Sequence, residues 1–164
     1  MSIRTAVDLF MHDLGDIYDA EQQFLRGQQE MVGQVTDSSL QKMIQTHIGE
    51  TEQQIKNLEK VFELMGSSPE AQECPGARGL VEEAQRVMSE TEKGAVKDTV
   101  IGGSATKVEH YEMVSYSDLC DAAELMGKTQ VARLLEKNLK QEEKTAQKLE
   151  RAAPKLLKKA AAAK

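Results

Sequence analysis

Four long stretches of this chain have the apolar periodicity of an α-helix, and in each an ionisable side chain interrupts the apolar stripe near its middle. The stretch 95–126 is the clearest, because Glu112 occupies a stripe position and Glu109 lies one turn before it. Its stripe consists of Val96, Val100, Gly103, Val108, Glu112, Tyr116, Leu119, Ala123 and Met126. Carboxylates are almost never fully buried without a partner. The fold of this chain must therefore neutralise acids inside its core.

The same periodicity predicts an all-α protein with four long helices and one short helix. The long helices are predicted at about 5–35, 38–65, 95–126 and 129–153, and the short one at about 80–92. The expected N-caps are Thr5, Ser38 and Thr129, and the expected stops are Gly66, Gly127 and Pro154. The composition agrees, since the chain has only 3 prolines and is rich in strong helix formers.

Two short turns, at 35–37 and 127–128, arrange the long helices as two antiparallel hairpins. Residues equally far from the turn of such a hairpin lie at the same height. The pairs of acids at nearly equal distances from a turn are Glu21 with Glu50 and Glu112 with Glu142. The offset within each pair is shorter than one helical turn. Each hairpin therefore brings two acids together near its mid-length.

If the hairpins pack face to face, five carboxylates and one imidazole meet in the core as a candidate metal site. His47 precedes Glu50 by three residues, so the two share a helix face. Left bare, such a cluster would repel itself, whereas two divalent or trivalent cations would neutralise it. Carboxylates with a histidine suit two iron ions, with manganese as the alternative. The predicted bridging ligands are Glu50 and one of Glu109 or Glu112, and the predicted terminal ligands are Glu21, His47 and Glu142.

This layout is typical of a ferritin-like four-helix bundle. Two antiparallel helical hairpins are joined by a long crossover, here 66–94, which carries the short fifth helix. Two features depart from the usual pattern. The Glu-x-x-His pair is reversed as His47-Ile-Gly-Glu50, and Ala146 stands near the place of the usual fourth-helix histidine.

Four segments also resemble a known family over most of 5–153. The segments are Leu-Gly-Asp-Ile-Tyr-Asp-Ala-Glu21, His47-Ile-Gly-Glu50-Thr, Lys-Val-Glu109-His-Tyr-Glu112 and Glu142-Glu143-Lys. They resemble the YciE/YciF-type ferritin-like proteins. The resemblance implies a bacterial, stress-associated bundle, often dimeric, with a di-metal centre, and it implies no defined reaction.

Composition limits the partners that this chain can bind, and it divides the chain into a bundle and a basic tail. The formal net charge of −6 disfavours nucleic-acid binding, and the chain has no apolar run long enough to span a membrane. We expect a cytoplasmic homodimer. Residues 1–154 are predicted to form the bundle, and residues 155–164 a basic Ala/Lys-rich tail.

Two functions from different classes are consistent with these patterns. The first is a di-metal protein, most simply di-iron, of the bacterial stress response that reacts with oxygen or peroxide in an oxidase or peroxidase type of chemistry. The second is a metal-free bundle that acts in the stress response through association with other proteins. In that case raised pKa values, water or basic neighbours would accommodate the buried acids. The sequence leaves open whether any reaction is catalysed.

Overall fold

The computed structural model describes residues 2–163 and contains, over that range, five α-helices and no strands. The helices are α1 (Ala6–Val32), α2 (Ser38–Leu64), α3 (Pro75–Ser89), α4 (Ala95–Leu125) and α5 (Thr129–Ala162). The predicted bundle of two helical hairpins, joined by a long crossover with a short fifth helix, is confirmed. No helix in the described range is both long and apolar enough to cross a membrane.

Contacts between segments that are distant in sequence show that neighbouring long helices are antiparallel. Asp98, in the first turn of α4, accepts hydrogen bonds from the backbone N–H groups of Thr36 (2.7 Å) and Asp37 (2.9 Å) in the α1–α2 turn. Lys159, near the end of α5, pairs with Asp37 at the start of α2. Consequently α4 runs antiparallel to α1, and α5 antiparallel to α2. The helix α3 packs against α1 and α4 on its way back along the bundle.

Two apolar clusters stabilise the bundle. One contains Phe10, Leu14, Leu58, Phe62 and Leu135, and the other contains Leu40, Ile44, Ile101, Leu149 and Leu156. Full burial of each such side chain contributes roughly 1.5–3 kcal/mol. Along every long helix the predicted ligands lie between residues of the first cluster and residues of the second. The acids therefore form a polar layer inside an otherwise apolar core.

Two predicted N-caps and one predicted helix start are wrong. The N-cap of α2 is Asp37, whose carboxylate accepts from the backbone N–H groups of the next residues, so Ser38 is already helical. The N-cap of α5 is Lys128, because Gly127 adopts a φ of 68° and turns the chain one residue before Thr129. The helix α3 begins at Pro75, where a missing N–H costs nothing. Only the cap at Thr5, with its capping box, is as predicted.

The predicted end of the last helix at Ala153 is also wrong, because α5 continues through Pro154. An interior proline removes a helical hydrogen bond and costs about 3 kcal/mol. Tertiary contacts offset that cost. Leu156 is buried in the second cluster, and Lys159 reaches Asp37. Residues 155–162 are the last turns of this helix, and Lys164 lies outside the described residues.

Candidate metal centre

The six predicted ligands come from the four long helices and differ in their burial. Five of them are buried: Glu21, His47, Glu109, Glu112 and Glu142. The sixth, Glu50, is partly exposed, with 21% of its side-chain surface open to solvent. The polar layer is therefore closed on most sides and open near α2.

Four of these residues converge on one point. His47, Glu109, Glu112 and Glu142 each offer a ligand atom within 4.8 Å of the others. The Nε2 atom of His47 lies 3.2 Å from Oε1 of Glu109 and 3.5 Å from Oε2 of Glu142. Two atoms bound to one cation at about 2.1 Å lie roughly 3.0–3.4 Å apart at tetrahedral or octahedral angles. These three side chains thus already have the spacing of ligands around a single ion.

The converging atoms lack hydrogen-bond partners among the described residues. The unpartnered atoms are Nε2 of His47, Oε2 of Glu21, Oε2 of Glu109, both oxygens of Glu112 and Oε2 of Glu142. A buried acceptor without a partner costs about 1–3 kcal/mol. Free lone pairs on carboxylates and an imidazole are the donor set that iron and manganese prefer. The residues present therefore fit a metal centre.

Hydrogen bonds from surrounding side chains orient two of these carboxylates. Tyr116 donates its hydroxyl proton to Oε1 of Glu21, and Gln54 donates to Oε1 of Glu142. In turn Asn138 donates to the Tyr116 oxygen at 3.0 Å. Each carboxylate is held by one oxygen, so the other oxygen stays free. Outer contacts of this kind fix the direction of metal ligands.

Sequence reasoning missed Asn138, although a signal was present. It lies four residues before Glu142 on the same stripe of α5 and is completely buried. It also accepts a hydrogen bond from Asn57 of α2 at 2.6 Å. A second buried polar residue on an apolar stripe, one turn from a predicted ligand, indicates a side chain that hydrogen-bonds the residues that orient the ligands.

Glu50 and Glu21 lie beside the group of four rather than within it. Oε2 of Glu50 is 3.3 Å from Nδ1 of His47, on the other nitrogen of the ring from the one that faces Glu109. The hydroxyl of Thr145 lies 3.5 Å from both Nδ1 and that oxygen. Contact with His47 lowers the pKa of Glu50, while its partial burial opposes this effect.

Burial strongly perturbs the pKa values in the layer. It raises the pKa of Glu112 and of Glu142 well above the ordinary value, and nearby carboxylates add to the effect. It also raises the pKa of Glu21 to about 8, against the opposing hydrogen bond from Tyr116. Burial alone would lower the pKa of His47, but its contacts with carboxylates outweigh this and raise it. Without a cation, the site therefore holds protons.

Other ionisable residues stay apart from this layer. His110, between two predicted ligands in sequence, is exposed and contacts Glu150 of α5 at 2.7 Å. Cys74 and Cys120 are buried free thiols. Burial raises the pKa of Cys120 to about 11, so it is a weak ligand.

A buried layer of carboxylates and a histidine, at mid-height of an antiparallel four-helix bundle, defines a protein of the ferritin-like class. Residues 5–162 match the family described as Domain of unknown function (DUF892). The chain belongs to this family.

Comparison with individual proteins agrees with that assignment. Protein YciF of Escherichia coli strain K12 is 35% identical over 146 residues, which cover 88% of this chain and 88% of YciF. The crystal structure of the E. coli stress protein YciF has a TM-score of 0.90 at 34% identity and covers 96% of this chain and 99% of its own. YcfI from Rhodopseudomonas palustris has a TM-score of 0.89 at 37% identity and covers 91% and 95%. The predicted family resemblance is confirmed, and the chain is a homologue of a stress protein.

Proposed function

We propose that this chain is a di-metal protein of the bacterial stress response, and that its polar layer binds two iron ions, or two manganese ions, that react with oxygen or peroxide. The observation that most supports this function is the convergence of His47, Glu109, Glu112 and Glu142 with unpartnered ligand atoms. The homology to a stress protein supports the biological setting.

The atoms without hydrogen-bond partners among the described residues support a role for each residue in holding two ions. His47, Glu109 and Glu142 would hold the first ion, since their contacts already have ligand spacing. Glu112, rather than Glu109, would contact both ions, because both of its oxygens lack hydrogen-bond partners among the described residues. Glu21 offers one free oxygen to the second ion.

Glu50 and Thr145, which lie outside the group of four, would orient His47 as a metal ligand. Glu50 and Thr145 surround Nδ1, and Nε2 faces the carboxylates of the layer. A proton held at Nδ1 leaves the lone pair of Nε2 for a cation. Because Glu50 is partly exposed, it also connects the layer to solvent.

Charge balance suits a reducible pair of ions. Two divalent ions leave the five carboxylates with a net charge of about −1, and two trivalent ions leave about +1. When bound, such a pair would supply one electron from each ion, which is enough to reduce one peroxide to two hydroxide ions. The layer thus tolerates both oxidation states with little uncompensated charge.

Anomalous scattering at the iron and manganese edges, on protein supplied with each metal, tests the proposal. We expect two ions in the polar layer of the wild type and loss of stoichiometric binding in Glu112→Gln. Glu143→Gln is the matched control, because Glu143 is an exposed acid next to Glu142. Wild-type protein without anomalous signal in the layer, or equal binding by both variants, would exclude the di-metal function.

The alternative function is the metal-free bundle that acts through protein association. The raised pKa values of Glu21, Glu112 and Glu142 favour it, since protonated acids can be buried without cations. Under this alternative, Glu112→Gln removes no metal and stabilises the bundle. Light scattering of purified protein tests the expected homodimer under either function.

A further inference from the structure

A small apolar cavity lies directly beside the polar layer. Its volume is about 30 Å³, and all five helices contribute to its walls. His47 and Glu109 form part of its lining, so the cavity borders the candidate metal centre. A space of this size holds one molecule as small as water or dioxygen. Organic substrates are excluded, because their pockets occupy about 300–1,000 Å³.

The walls of the cavity offer almost no free hydrogen-bonding groups. Two of its polar lining residues have partners: Gln28 bonds with Thr51 at 3.2 Å, and the Thr145 hydroxyl lies 3.5 Å from Nδ1 of His47. Among the lining residues that the structure describes, unpartnered atoms belong to His47 and Glu109. Both are candidate ligands that a bound cation would occupy. With a cation on those two side chains, the remaining walls offer a water molecule no hydrogen-bond partner.

We propose that this cavity binds dioxygen next to the metal centre, so that dioxygen rather than peroxide is the oxidant that this face of the site accepts. The inference rests on the proposed function and deepens it. Dioxygen is uncharged and apolar and loses no hydrogen bonds when it enters. Peroxide carries two O–H donors and would lose their partners along carbon walls.

Gly27 provides a way to close the cavity without touching the candidate ligands. It lines the cavity, and a Cβ built on it would lie 3.8 Å from both Met31 Cε and Val81 Cγ2, which is ordinary contact. Gly27→Ala therefore takes space from the cavity without a clash. Gly103→Ala is the matched control, because Gly103 is an exposed glycine inside α4 with nothing within 4 Å.

The first test uses metal-free protein with ¹³C-labelled methyl groups under dissolved oxygen gas. Dioxygen is paramagnetic and enhances the relaxation of methyl groups that it contacts. We expect larger enhancement at Val108 and Leu149, which line the cavity, than at Val131 and Leu119, which are buried in the other end of the core. Equal enhancement at both pairs in the wild type would overturn the proposal.

The variants make this test specific. In Gly27→Ala the excess enhancement at the cavity methyl groups should be lost, and in Gly103→Ala it should persist. Val81→Ala, which widens the cavity, should increase the excess relaxation enhancement at the cavity methyl groups. If the excess survives in Gly27→Ala, dioxygen occupies some other space and the proposal fails.

A second test uses metal-loaded protein. Gly27→Ala should slow the oxidation of two bound ferrous ions by dioxygen, in which their two electrons would reduce dioxygen to peroxide, and it should leave the rate with added peroxide unchanged. A loss of both rates, or of neither, would contradict the assignment of the oxidant. If no metal binds while the relaxation signal persists, the proposed function fails but dioxygen binding stands.

Discussion

The carboxyl of Glu21 should make the metal-free protein less stable as pH rises. Its ordinary pKa of 4.5 is raised to about 8 in the fold, chiefly by complete burial. The folded state therefore holds this proton more tightly than the unfolded state does. The resulting stabilisation is complete below pH 4.5 and is lost as pH rises through the folded pKa.

The expected effect is large enough to measure. One pKa unit corresponds to about 1.4 kcal/mol, so Glu21 alone should lower the free energy of unfolding by on the order of 5 kcal/mol over this range. The raised pKa of His47 acts in the same direction. Domains of this size are stable by only about 5–15 kcal/mol. The metal-free protein should therefore have a much lower free energy of unfolding at pH 8 than at pH 5.

Urea unfolding followed by circular dichroism, from about pH 5 to about pH 8, measures this dependence. Glu21→Gln keeps the shape of the side chain, can still accept the Tyr116 hydrogen bond and does not titrate, so the pH slope should become shallower by the contribution of Glu21, while the contributions of Glu112, Glu142 and His47 remain. Glu143→Gln, at an exposed acid, should retain the slope. Adding iron(II) should restore wild-type stability at high pH, because the ion replaces the protons. An equal slope in wild type and Glu21→Gln, or stability that rises with pH, would refute the reasoning.

The fold supports further predictions. Asp98→Ala should lower the free energy of unfolding by about 3 kcal/mol in urea titrations, because the buried carboxylate accepts hydrogen bonds from both backbone and hydroxyl groups of the α1–α2 turn. Leu156→Ala should lower the free energy of unfolding by about 2–5 kcal/mol, because Leu156 is buried. It should also fray the end of α5, which faster hydrogen exchange of the amides after Pro154 would show. Gly27→Ala should raise the thermal midpoint by a gain of about 0.5–1 kcal/mol, since alanine favours the helix and its Cβ meets no clash. A lower midpoint would contradict the space inferred there.

The position of the polar layer could be predicted because it depends on local geometry. Helical periodicity assigns Glu112 and Glu142 to their stripes, and equal distances from a turn set their height in a hairpin. Both residues are completely buried at that level. The direction of Glu50 could not be predicted in this way. Its carboxylate lies on the outer nitrogen of His47, and the packing of α2 against α5 decides that side.

Periodicity also failed at the start of α4. Val96 was assigned to the stripe, yet it is 45% exposed, whereas Asp98 is 3% exposed. A buried aspartate is favourable there because the α1–α2 turn supplies donors from more than sixty residues away along the chain. No pattern within α4 contains that information.

The sequence by itself determined the number of long helices, their pairing into hairpins and the height at which acids enter the core, because each follows from spacing along one or two adjacent helices. The tertiary structure decided which atoms of those acids lack hydrogen-bond partners among the described residues. It also decided that α5 continues as a helix through Pro154 and that a cavity borders His47. These features depend on side chains that approach from helices distant in sequence. Their energies arise only once the whole bundle is packed.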